Sequence, residues 1–212
     1  MEDDAQARAY AEADFEQPHA MFVRLLEDSL EGRALTGTVI DLGCGPADIA
    51  VRVARRFPDA VIDGVDGSEA MLKYGAERIR REGLGSRIRL MCGRLPDFPL
   101  PRRAYDAIVS NSLLHHLRDP KVLWDAIKRC ARRSAPVFIM DLLRPESEIE
   151  ALALVDLHAA GEPAVLRHDF FHSLLAAYRI EEVRAQLDEA GFGDFTIEAV
   201  SDRHWVVTGR AP

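Results

Sequence analysis

At 212 residues the chain is long enough for one domain with a full hydrophobic core. A hydrophobic content of 48% beside 29% charged residues excludes wholesale disorder. Three widely spaced cysteines, Cys44, Cys92 and Cys130, exclude a disulfide framework and a zinc knuckle. The net charge of -8 sits mostly in the first 31 residues, which carry nine acidic and two basic side chains. The nearly neutral remainder offers no footprint for a nucleic acid. The acidic opening MEDDAQARAYAEAD is unlike a signal or transit peptide, and no apolar run approaches the roughly 18 residues of a membrane span. The expectation is a soluble cytoplasmic protein of one domain, residues 1–212.

The elements follow in chain order. A helical leader over about 15–31 precedes TVIDLG (38–43), a buried-type strand. PADIAVRVARRF (46–57) has helical spacing, and VIDGVD (61–66) is a second strand. SEAMLKYGAERIRRE (68–82) is a helix with Ser68 as N-cap. IRLMCG (88–93) and YDAIVSN (105–111) are the third and fourth strands. DPKVLWDAIKRCARR (119–133) is a helix with Asp119 as cap and Pro120 at its first position. APVFIMDL (135–142) is the fifth strand, and IEEVRAQLDEAGF (180–192) a helix closing at Gly191. Strand–helix alternation implies parallel strands with right-handed crossovers. FTIEAV and HWVVTGR, with SDRH at their junction, are too close for a parallel return and predict an antiparallel hairpin. The arginines at 52, 55 and 56, at 78, 80 and 81, and at 132 and 133 fall on predicted helices and read as solvated faces.

The chemistry concentrates in VIDLGCGPADIA, Val39 to Ala50. Gly43 and Gly45 follow the first strand, where ligands bind an open parallel sheet. A dinucleotide loop wants a third glycine, but here that place is Asp48, which would repel a pyrophosphate. Asp41 adds a second negative charge, so the loop favours a cationic ligand without phosphate. The run D-L-G-C-G, Asp41 to Gly45, resembles motif I of class I S-adenosylmethionine-dependent methyltransferases. VDGSEAML (65–72) is similar to the family's second motif and YDAIVSNSLLHHL (105–117) to its fourth-strand motif.

That resemblance implies an α/β, Rossmann-like three-layer sandwich with a mostly parallel seven-stranded sheet ending in an antiparallel hairpin. It implies S-adenosyl-L-methionine as cofactor, held by Asp41, Gly43, Cys44 and Gly45 in the loop, and by Asp66, Gly67, Ser68 and Met71 after the second strand. Asp66 is the expected ribose ligand, and Met71 is expected to pack on the adenine. Gly93, Arg94 and Leu95 follow the third strand, and Asn111 and Ser112 the fourth. Arg94 stands where the family often has an adenine-binding Asp, so the backbone of 93–95 or the side chain of Asp97 is left to read the adenine. SNSL (110–113) lacks the N-P-P-aromatic motif of methyltransferases acting on exocyclic amines of bases.

The implied activity is methyl transfer to a small-molecule acceptor, in the style of quinone-biosynthesis methyltransferases. The alternatives are a cofactor-binding protein without transfer and, disfavoured by Asp48 and the hairpin, an NAD(P)-dependent oxidoreductase. His115 and His116 are the candidate catalytic bases, against a packing and a capping role. Cys44 reads as a small spacer. His168 and His172 share a helical face at metal-compatible spacing, but with no third ligand no metal is expected. The leader (1–36, with Tyr10, Phe15, His19 and Phe22) and the insertion (144–179) are expected to lie over the site as lid or pocket wall, the insertion being also the candidate homo-oligomer surface.

Overall fold

The first strand, β1 (Gly37–Leu42), shows how the sequence builds the sheet. Val39 enters one core and Ile40 and Leu42 the core on the opposite face, the alternation of a strand covered on both sides. The computed structural model describes residues 4–100 and 104–212. In it β1 pairs in parallel with β2 (Ala60–Asp66) on one side and β4 (Ala107–Asn111) on the other. β3 (Ile88–Cys92) lies beyond β2, and β5 (Pro136–Leu142) beyond β4, both parallel. The hairpin of β6 (Thr196–Ala199) and β7 (His204–Arg210) completes the sheet, with β7 antiparallel to β5 along its whole length. The order β3-β2-β1-β4-β5-β7-β6 puts the reversal of winding between β1 and β4. A crevice opens there, beyond the carboxyl ends of the strands.

Two helical layers cover the sheet. One holds α2 (Glu16–Ser29), α3 (Asp48–Arg56) and α4 (Glu69–Arg81); the other holds α5 (Lys121–Cys130) and α8 (Ile180–Glu189). Ser68 caps α4 by accepting from the Met71 N–H at 3.2 Å. The Asp119 carboxylate accepts from the Lys121 N–H at 3.0 Å, just before α5. Gly191 ends α8 at φ +74°, a left-handed conformation that suits glycine. The insertion forms α6 (Glu148–His158) and α7 (Ala164–Ala176), whose inner faces meet Leu142 in a third, smaller core. The outer face of α6 leaves Ile149 and Leu157 largely exposed.

The helix expected over about 15–31 is present as α2, and the leader as a whole holds one more. The leader is two helices, α1 (Asp4–Glu12) and α2, broken at 13–15. The break splits its aromatic residues between two duties. Phe22 is fully buried edge-on to Phe138, with ring centroids 4.9 Å apart. Tyr10 and Phe15, with centroids 4.7 Å apart, stay at the crevice. Phe22 therefore belongs to the core and not to a lid.

Candidate active site

The turn after β1 is fixed by backbone. The N–H groups of Gly43 and Cys44 both donate to the Val65 carbonyl, at 2.8 and 3.1 Å, tying the loop to β2. Gly43 and Gly45 take φ values of +74° and +49°, and Ala47 a further left-handed +61°, so α3 begins at Asp48, two residues later than its sequence pattern suggests. The two glycines differ in purpose. A Cβ on Gly43 would strike the Leu113 side chain at 2.8 Å, whereas one on Gly45 would meet nothing within 4 Å. Gly45 leaves its open side toward a cavity of about 920 Å³.

Asp41 and Asp66 are the acids of that cavity, and they are held differently. Asp41 is 1% exposed, and neither carboxylate oxygen has a hydrogen-bond partner. Burial, then the charge of Asp66, pushes its pKa up to about 7. A buried acid without a partner is costly unless a ligand completes it. Asp66 accepts from Gly45 N–H at 2.9 Å on one oxygen and from Ser68 N–H at 2.8 Å on the other. Each oxygen keeps a lone pair for a further donor, so the carboxylate is aimed and half-satisfied.

Asp48 does not add charge to the site, contrary to expectation. His19 Nδ1, Arg78 and the Arg52 Nε (2.7 Å) all converge on its carboxylate. Burial raises its pKa, but the hydrogen bonds and electrostatic attraction of these three partners outweigh burial and hold it well below the usual range. Arg52 also reaches Glu16 at 2.6 Å. Arg52 and Arg78 therefore clamp the leader to the loop instead of forming the solvated faces expected of them. Arg55 and Arg56 keep to the surface, paired with Glu82 and Glu27.

All thirteen residues expected to contact the cofactor line this one cavity. Cys44 is buried, and burial, then Asp41 and Asp66, raises its thiol pKa, which disfavours the thiolate. A Cβ on Gly67 would strike the stem of Arg94 at 2.8 Å. Asp97 is exposed and off the cavity wall. At the end of β4, Asn111 buries an unpartnered Oδ1, and Ser112 turns the chain at φ +54°.

The two candidate bases separate. His115, in the 3-10 turn Leu114–His116, is buried with Nδ1 2.5 Å from Asp141 Oδ1. Asp141 also accepts from the N–H groups of Leu114 (2.6 Å) and Leu142 (2.7 Å). His116 stacks on His115 with centroids 4.0 Å apart, and burial, then His115, pulls its pKa down to about 4. His116 faces both the first cavity and a second one of about 720 Å³, whereas His115 lines the second alone. Tyr10, Phe15, Asn111 and Ser112 also stand between the two. The second cavity is walled by the leader and by α6 and α7. Tyr10 keeps its proton there, its pKa pushed up to about 12 by burial and by Asp66, Asp48 and Asp141.

Sequence reasoning missed Asp141; its signal was an acid ending an apolar strand, as Asp41 and Asp66 do. It could not have found the partners of Asp48. His168 and His172 meet ring to ring at 4.3 Å, and no group of three metal-ligating side chains occurs among the described residues.

Residues 39–136 match the model of a family described as a methyltransferase domain. Over this stretch, just under half of its length, the chain is similar to methyltransferases. It is 31% identical over 111 residues to the demethylmenaquinone methyltransferase of Porphyromonas gingivalis, across 52% of this chain and 45% of that one. It is 38% identical over 137 residues to the trans-aconitate 2-methyltransferase of Methylobacterium radiotolerans, across 59% of this chain and 48% of that one. The methyltransferase domain thus spans less than half the length of these relatives. A crystal structure of an S-adenosylmethionine-dependent methyltransferase from Aquifex aeolicus shares the fold, with a TM-score of 0.71 at 19% identity over 99% of both chains. The residues present fit the family's cofactor: Asp41 lacks a cation, Asp66 has lone pairs for two hydroxyls, and Gly45 leaves room for close approach.

Proposed function

We propose that the protein transfers a methyl group from S-adenosylmethionine to a small molecule bound in the second cavity. The observation that carries this reading is Asp41, a fully buried carboxylate with both oxygens unpartnered beside an open glycine. In this reading Asp41 takes the ammonium of the cofactor and Asp66 its ribose hydroxyls. Met71 and Leu95 pack against the adenine, with the backbone of 93–95 reading its edge, and Asn111 and Ser112 lie along the methionine portion. When bound, the cofactor supplies a methyl group on a sulfonium, ready for in-line attack by a lone pair. Alignment is the larger contribution, and favourable intramolecular systems gain about 7–11 kcal/mol this way.

The chain's own residues divide the remaining work. Asp141 holds His115, and His115 holds His116 at the junction of the cavities. With its pKa near 4, His116 is neutral at physiological pH. It serves as a hydrogen-bond acceptor for the nucleophile and as a weak base, which suits an acceptor that already owns its lone pair. The leader, which lines both cavities, and the insertion, which lines the second, shield the reacting groups from water. The relatives' names attach to different acceptors, demethylmenaquinone in one and trans-aconitate in the other, so they do not choose one.

Calorimetry with S-adenosylmethionine, S-adenosylhomocysteine and NAD tests the reading. Binding of the first two and not the third is the expected result, and failure of both to bind would end it. Binding of both, with no product from a broad acceptor panel, would favour a sensor instead.

A further inference from the structure

Charge is unevenly placed on the wall of the second cavity. Asp14, Glu162 and Asp169 line it. None of the three has an ion-pair partner among the described residues; Asp14 accepts from the Glu16 N–H and Asp169 from the neutral amide of Gln6, at 2.9 and 2.5 Å. Arg203 is the one arginine or lysine among the described residues of this wall. It is already committed, with Nη1 2.9 Å from Asp202 Oδ1 and 2.8 Å from His158 Nε2.

The histidines of the wall do not redress the balance. His19, His115 and His158 each face a carboxylate of their own, Asp48, Asp141 and Asp202. His116 and His204 are both pulled down to about 4, by burial first and then by His115 and Arg203 respectively, so neither is cationic at neutral pH. His172 is engaged with the rings of His168 and Phe171. Aromatic faces complete the wall at Tyr10, Phe15 and Phe170.

An anion entering this cavity would lose its hydration, find no uncommitted arginine or lysine among the described residues, and meet three carboxylates. A cation or an uncharged heterocycle meets the opposite: carboxylates for its charge and ring faces for its frame. We infer that the second cavity selects an acceptor without negative charge, an amine or uncharged nitrogen heterocycle on an aromatic frame, and rejects carboxylates and phosphates. This rests on the methyltransferase reading and narrows its substrate class. Asp169 and Glu162, both half-buried, act as the selecting groups.

The test uses the full chain saturated with S-adenosylhomocysteine and three probes sharing one frame: 2-naphthylmethylamine, 2-naphthalenemethanol and 2-naphthoate. Calorimetry is expected to show the amine binding at least about tenfold more tightly than the carboxylate, with the alcohol between them. In an Asp169→Asn, Glu162→Gln double variant that ratio should shrink severalfold while the alcohol's Kd holds. A naphthoate Kd equal to or below that of the amine overturns the inference. So does an unchanged ratio in the double variant, or no binding of any probe. Failure to bind S-adenosylhomocysteine at the outset is a different failure, and removes the methyltransferase reading instead.

Discussion

The two cavities meet at Tyr10 and His116 but are made from different kinds of sequence. The first is built from short contiguous runs, 41–48, 65–71 and 93–96, each at the carboxyl end of one strand. The second draws single residues from α1, the turn after β4, α6, α7 and the start of β7. One is a property of strand ends, which any chain of this topology presents together. The other exists only because three separate helices dock over the sheet. The difference shows why a methyl donor can be read from motifs while the acceptor must be read from packing.

Four experiments would break or sharpen that contrast. The largest effect is expected where the leader enters the core. Phe22→Ala should cost about 3–5 kcal/mol in urea denaturation, as aromatic truncations in cores do, and Phe15→Ala under about 1. Similar costs would mean the leader is not divided between core and cavity. Next, Asp48→Ala strands His19, Arg52 and Arg78. A loss of roughly 2–3 kcal/mol is expected, less than for a fully buried pair because both guanidiniums reach solvent. A wild-type denaturation midpoint would dissolve the clamp between leader and loop.

At the cofactor cavity, Asp66→Ala should weaken S-adenosylhomocysteine binding by about 1.5–3 kcal/mol through lost charge-assisted hydrogen bonds. An unchanged dissociation constant by calorimetry would take Asp66 out of the site. The subtlest effect concerns Asp41. Its folded pKa of about 7 lies above its ordinary value, so the free fold binds a proton that the unfolded chain has released. The stability owed to the neutral acid is complete below pH about 4 and is lost as pH rises through about 7. Asp41→Asn should therefore raise the melting temperature of the free protein at pH 8 and leave it unchanged at pH 4. Cofactor affinity should move the opposite way: it rises from pH 6 to 8 in the parent, and is weaker and flat in the variant. A parent profile that is flat across that range would remove the carboxylate from ammonium recognition.

Much of this was legible because strand periodicity and caps are local. VIDLG alternates two-sided burial, Ser68 caps α4, and four residues between 199 and 204 force a hairpin. The misses share one cause. Asp48 looked like an added negative charge because its three partners come from α2, α3 and α4. Phe22 and Phe15 looked alike because the break at 13–15, which sends one inward and leaves the other at the crevice, carries no strong turn signal. Asp141 was hidden in an apolar strand until the 3-10 turn after β4 brought His115 against it.

The sequence by itself determined the sheet, the glycine turn and the acids at the ends of β1 and β2, because hydrophobic period, backbone conformation and strand order are set by neighbours in the chain. Only the tertiary structure decided which charges remain uncompensated. Asp41 and Asp48 are seven positions apart and chemically identical, yet one is buried bare and the other is wrapped by cations. An ion pair or its absence is a contact between distant segments, and no local pattern encodes it.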